Sequence, residues 1–152
     1  MKLLEALPRE SILTDLKATD KKGILNELVS PLAESAGIDH DELVRVLMER
    51  ERLGSTGIGS GIGIPHGKLA GIEHLLLGFG HSRNGVDFES IDGKPAHIFF
   101  LLVTPENSTG LHLKVLSRIS RILKNDLFRE RLMEAASADE IIAVIAEYDE
   151  DF

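Results

Sequence analysis

Gly54-Ser55-Thr56-Gly57-Ile58-Gly59-Ser60-Gly61-Ile62-Gly63-Ile64-Pro65-His66-Gly67-Lys68 is the stretch on which the reading of this chain turns. Five glycines, Gly54, Gly57, Gly59, Gly61 and Gly63, precede Pro65-His66-Gly67-Lys68. Glycine loses more backbone entropy on ordering than any other residue, so a packed helix or strand is not expected here. A flexible linker is not expected either. Linkers are rich in Gly and Ser without large apolar residues, whereas Ile58, Ile62 and Ile64 punctuate these glycines and would pin them to a core. The expectation is an ordered loop whose backbone approaches something closely. It ends on a histidine framed by Pro65, which locks its own φ and biases Ile64 towards extended geometry.

Two nucleotide cradles are excluded by spacing. A P-loop needs Ser or Thr after Gly-Lys, and a glycine five residues before Gly67; here Leu69 and Ile62 stand at those positions. The dinucleotide fingerprint needs glycines at i, i+2 and i+5. Starting from Gly57, Gly59 or Gly61, the last position falls on Ile62, Ile64 or His66. The strong chemical group of the loop is therefore an imidazole.

Composition narrows the classes further. A chain of 152 residues is most simply one domain able to bury a substantial core. It has no cysteine, which removes disulfides, thiolate metal sites and cysteine nucleophiles and fits a reducing, cytoplasmic location. Met1 to Arg9 lacks the apolar core of a signal peptide, and no apolar run nears the ~18 residues of a membrane helix. The formal net charge is −8, with Lys and Arg scattered, so nucleic acid is not an expected partner. An acidic surface favours basic or mixed-charge protein partners instead.

Along the chain, Ile12, Leu13 and Leu16 predict a short opening strand. Thr19 is read as a helix N-cap with Asp20 in the first turn, ahead of Ile24, Leu25, Leu28, Val29 and Leu32 at helical spacing. Pro31 is expected to bend that helix and Gly37 to close it. Asp39 with Glu42 caps a second helix, whose end at Arg50 and Arg52 is cationic. After the glycine stretch, Leu75 to Phe79 and Ala96 to Val103 read as buried strands. Asn84-Gly85 is read as a hairpin turn with a short strand at Val86 to Phe88, and Asp92-Gly93 as a second turn. Three helical patterns follow: Leu111 to Leu123, a short one at Leu127 to Met133, and one after Ser137, which caps with Glu140. Asp149 to Phe152 is expected to fray. The order predicts a single α/β domain on a mixed sheet with helices on both faces.

His66 is the candidate nucleophile, because neutral imidazole is nucleophilic near neutral pH if its other nitrogen is anchored, for which a loop carbonyl would serve. His112 has two readings: a site residue near the start of a helix, or a half-buried packing histidine. Leu113 and Leu116 are placed on the core side of that helix. The helix N-terminus there would offer N–H groups to an anion. Arg50 is either an oxyanion-binding fork or a helix-terminal charge complementing the dipole. His40, His74, His81 and His97 are assigned to caps and strand flanks. There is no His-Glu-x-x-His and no close histidine pair with acidic neighbours, so no metal is called. Gly59-Ser60-Gly61 lacks the Gly-x-Ser-x-Gly spacing of a serine hydrolase.

Arg50-Glu51-Arg52-Leu53-Gly54-Ser55-Thr56-Gly57-Ile58-Gly59-x-Gly61-Ile62-x-Ile64-Pro65-His66-Gly67-Lys68 resembles the phosphohistidine loop of the fructose/mannitol-type enzyme IIA domains of the bacterial phosphoenolpyruvate:sugar phosphotransferase system. The likeness is nearest to the fructose and nitrogen-regulatory branch and covers nearly all of residues 1–152. His112-Leu113-x-x-Leu116 is similar to the family's second motif. The mannitol branch varies the glycine loop and often follows Pro-His-Gly with Thr, whereas this chain keeps Ser-Thr-Gly-Ile-Gly and Lys68.

The resemblance implies a three-layer α/β/α sandwich on a mixed sheet. It implies that His66 accepts a phosphoryl group from phosphohistidine on the carrier HPr or its nitrogen-branch paralogue. His112 would be the second active-site histidine and Arg50 the arginine near the phosphoryl group. Ser55, Thr56, Gly57, Gly61 and Gly67 would form the phosphoryl loop, with no cofactor and no metal needed. Two roles follow from it: a nitrogen-type regulator whose phosphorylation state is read by a target protein, or a fructose-type transport IIA that passes the group to a IIB domain. The glycine loop and the absence of an attached IIB or IIC segment favour the regulator. A non-catalytic binding module is a third reading, opposed by the intact His66, His112 and Arg50.

Overall fold

The structure, a computed structural model, describes residues Met1–Phe152. Its centre is a pair of antiparallel strands. These are β5 (Leu76–Val86) and β6 (Ala96–Pro105), numbered after β1 (Ile12–Leu13), β2 (Gly57–Gly59), β3 (Ile62–Gly63) and β4 (His66–Leu69). Strand β6 is apolar on both faces because both faces are covered. Ile98, Phe100 and Leu102 join one buried cluster, while Phe99, Leu101 and Val103 join another. The first cluster is closed by α3 (Thr109–Ile122), α4 (Asp126–Glu134) and α5 (Ala138–Tyr148), and the second by α1 (Lys21–Ala36) and α2 (His40–Arg52). This is the three-layer α/β/α arrangement with a mixed sheet.

The sheet order is β1-β5-β6-β3-β2, and β4 also pairs with β6. Strands β3 and β4 run parallel to β6 along one edge, Ile62 opposite Ile98 and His66 opposite Leu102. They form one track broken at Ile64-Pro65. Proline has no N–H to give the ladder, and only its carbonyl takes part, accepting from Leu102 N at 3.0 Å. The glycine stretch is thus not a loop throughout. β2 and β3 make an antiparallel hairpin, turned through Ser60 (φ 56°) and Gly61 (φ 77°). Two central residues with positive φ are what a tight hairpin of the correct twist requires.

Other local readings shift. Asp20, not Thr19, caps α1, accepting from Gly23 N at 2.8 Å. Pro31 sits inside α1 without ending it, and Gly37 closes it at φ 68°. Asp39 and Ser137 cap α2 and α5 as expected. Asn84-Gly85 is not a hairpin turn: β5 runs through it with a register shift against β6 between His81 and Val86. The positive φ that Asn-Gly supplies serves a bulge as well as a turn. The turn lies at Asp92-Gly93, where Asp92 accepts from Lys94 N at 3.0 Å.

The C-terminal residues do not fray. Asp149 is buried and accepts from Leu3 N at 2.8 Å and Leu4 N at 2.9 Å. Arg118 donates to the carbonyls of Glu150 and Asp151, each at 3.0 Å. Leu113 faces solvent at 60 % exposure, and the core side of α3 is carried by Val115, Ile119 and Ile122.

Candidate functional site

His66 opens β4, directly after the break at Pro65. The Ile64 carbonyl, two residues back across that break, faces the imidazole, and His66 Nδ1 donates to it at 2.7 Å. A carbonyl only accepts, so the proton is on Nδ1 and the lone pair on Nε2. Gly67 lets α2 lie against β4: a Cβ there would stand 2.9 Å from Val46 Cγ1. The last turn of the same helix carries Arg50, whose Nη1 donates to the Gly54 carbonyl at 2.9 Å. The remaining guanidinium N–H groups are free of protein partners.

From the other face of the sheet, the first turn of α3 brings in His112. Its ring centroid is 5.4 Å from that of His66, with the planes at 55°. His112 is buried, and its Nδ1 lies 2.7 Å from Thr104 Oγ1 at the end of β6. Lys68 bonds Thr109 Oγ1 at 2.8 Å. His66, His112, Arg50 and Lys68 line a cavity of about 700 Å³ that also includes Glu49, Arg52 and Leu53. A chain of net charge −8 therefore gathers three cations, Arg50, Arg52 and Lys68, around its two neighbouring histidines. Around them stand Val46, Leu113, Leu116 and the largely exposed Leu53.

Both imidazoles are held neutral. Burial lowers the pKa of His66, and the Arg50 charge pushes the same way; the Ile64 carbonyl opposes them. His112 is lowered to about 4, chiefly by burial and then by His66 and Lys68. No three His, Asp or Glu side chains come together as a metal site.

The structure brings His66, His112, Arg50 and Gly67 together around one cavity, but not the rest of the expected phosphoryl loop. Ser55 donates to the Phe88 carbonyl at 2.7 Å and accepts from Gly57 N at 3.0 Å. Thr56 is buried, its N–H 3.1 Å from the Glu51 carboxylate and its hydroxyl bonded to the same group. Gly57 packs on Ser90, and Gly61 lies beside His97 in a separate cleft. Thr109 to Leu111, the first turn of α3, also stand outside the cavity lining.

Sequence reasoning passed over Glu51, Thr104 and Val46. Glu51 is a buried carboxylate bridged by Lys21 at 3.0 Å that ties the end of α2 to Thr56. Its position between two arginines was the available signal. Thr104 is the one polar residue at the end of an apolar run.

Fold and site define an α/β sandwich that presents paired neutral histidines in a cation-lined cleft. Residues 5–148 match the family described as "Phosphoenolpyruvate-dependent sugar phosphotransferase system, EIIA 2", and the chain belongs to that family. It is 38% identical over 146 residues to a nitrogen regulatory protein of Bradyrhizobium diazoefficiens, covering 96% of this chain and 95% of that one. It is equally 38% identical over 150 residues to the fructose-specific EIIABC component of Bacillus subtilis, covering 98% of this chain but only 24% of that protein. Among solved structures, nitrogen regulatory protein IIA-Ntr from Neisseria meningitidis superposes with a TM-score of 0.87 at 38% identity, covering 93% of this chain and 97% of that one.

Proposed function

We propose that the protein is a phosphohistidine relay, with Nε2 of His66 accepting the phosphoryl group of an HPr-type carrier or its nitrogen-branch paralogue in the cytoplasm. The observation that carries this is the Nδ1–H bond to the Ile64 carbonyl, which leaves the Nε2 lone pair free beside Arg50 and His112. In the transfer, that lone pair forms the new phosphorus–nitrogen bond. The bond to the carrier's histidine breaks, and the carrier's ring leaves with its electron pair. Nδ1 keeps its proton on the Ile64 carbonyl, which stabilises the positive charge the ring acquires. Such a transfer needs in-line positioning and donors for three equatorial oxygens rather than covalent help. Arg50 and His112 are the donors, and Leu53, Leu113 and Leu116 form an apolar collar for the carrier's own histidine loop.

The reading taken is a nitrogen-type regulator, supported by full-length similarity to nitrogen regulatory proteins. The equal identity to a fructose-specific component favours one alternative, a transport IIA that passes the group to a IIB domain. Transfer from the phosphorylated protein to a fructose-type IIB separates the two. The core reading is tested with phosphoenolpyruvate, enzyme I and carrier. The expected product is one acid-labile phosphoryl group per chain, abolished by His66→Ala. Persistent single phosphorylation of the His66→Ala protein overturns it.

A further inference from the structure

We infer that Thr104 is a positioning residue that fixes His112 as the tautomer protonated on Nε2, the opposite of His66. This rests on the relay reading above for its purpose, but not for its geometry.

Thr104 is 0 % exposed, so its hydroxyl hydrogen has no bulk water to bond. His112 Nδ1, at 2.7 Å, is the one hydrogen-bond partner of that hydroxyl. Were Nδ1 protonated, it would donate to the threonine oxygen, and the hydroxyl hydrogen would be buried without an acceptor. An orphaned buried donor is disfavoured strongly enough to decide between two otherwise nearly equal tautomers. The hydroxyl therefore donates, Nδ1 accepts, and the ring proton sits on Nε2. No such choice exists at His66, because its partner is a carbonyl.

Neither Nε2 is among the buried polar atoms that lack a partner, and both rings line the same cavity. The two rings thus present opposite functions to one space. His66 offers a lone pair to phosphorus, and His112 offers an N–H to the phosphoryl oxygens. A neutral donor is suited to both states of His66. It does not compete for a carrier's anion as a second cation would, and it donates without protonating the nucleophile. The arrangement also removes His112 as a rival acceptor, since its lone pair is occupied.

Long-range ¹H–¹⁵N spectra of histidine-labelled protein at pH 7 read both tautomers directly. The expected result is Nδ1–H at His66 and Nε2–H at His112. In Thr104→Val, which keeps the shape and loses the hydroxyl, His112 should become a tautomer mixture. Transfer from the phosphorylated carrier should slow by on the order of ten- to a hundredfold, the range known for losing the partner that orients a metal-bound histidine, with the carrier's KM unchanged. Thr104→Ser should restore both readouts. Nδ1–H at His112 in the unmodified protein overturns the inference, as does a Thr104→Val protein that transfers at full rate or a Thr104→Ser protein as impaired as Thr104→Val. If Thr104→Val does not fold, the unmodified protein's spectrum and Thr104→Ser still decide. A protein that accepts no phosphoryl group at all defeats the relay reading, while the spectrum still settles the tautomer.

Discussion

Two imidazoles whose centroids are 5.4 Å apart would repel if both were protonated, and burial removes that conflict by keeping both neutral. The consequence for stability has a definite sign. Unfolded, His112 titrates near 6.5; folded, near 4. Between those values the unfolded chain binds the extra proton, so stability is fully present above about pH 6.5 and falls as the pH drops towards 4. Allowing for solvent screening, the size is on the order of 1–3 kcal/mol. Urea unfolding at pH 7 and pH 4 should show the wild type losing about that much more than His112→Gln, which cannot titrate. An equal loss in both proteins would remove His112 as the cause.

At this scale the sequence exposed His66 clearly, because Pro65 and Gly67 frame it. It did not expose Thr104 or show that Ser55 and Thr56 turn away. Those hydroxyls are spoken for by Phe88 and Glu51, and such pairings depend on which elements meet, not on local spacing.

Among the elements, α2 and the β3–β4 track decide where Arg50 and His66 stand. Arg50 reaches the cavity because α2 lies directly on β4, and Gly67 is the point of contact. Gly67→Ala would place a methyl group 2.9 Å from Val46 Cγ1. Overpacking of this kind costs about 1–3 kcal/mol. We expect a lower melting temperature and slower phosphoryl transfer, with Val46→Ala in the same chain recovering much of both. Unchanged melting and transfer in Gly67→Ala would show that the helix can yield there freely.

Helix limits were legible from caps, with Asp39, Ser137 and Gly37 where expected and α1 off by one residue. The glycine stretch reads as a loop in sequence and is partly hairpin, and Asn84-Gly85 reads as a turn and is a bulge. In both cases a residue's tolerance of positive φ was visible, but its use depends on the neighbouring strand.

Over the whole molecule, the two ends of the chain are joined through Asp149, whose carboxylate accepts from Leu3 and Leu4. Asp149→Ala would leave those two N–H groups without their charged acceptor. The expected loss is about 3 kcal/mol, read as a lower urea midpoint. An unshifted midpoint would mean that the ends contribute nothing to stability. The acidic tail looked solvated because its composition is polar; its burial follows from Arg118 and the N-terminal turn meeting it in space.

By itself the sequence determined the layered α/β class, the positions of the helices, the family and His66 as the candidate nucleophile. Those follow from periodicity, caps and one long motif, all local in the chain. Only the tertiary structure decided that β3 and β4 form one broken track on β6, that α2 brings Arg50 from one face of the sheet and α3 brings His112 from the other to meet His66 at one cavity, and that a carbonyl and a hydroxyl set their protons oppositely. Those outcomes depend on contacts between distant residues, where burial decides which polar atoms must find each other.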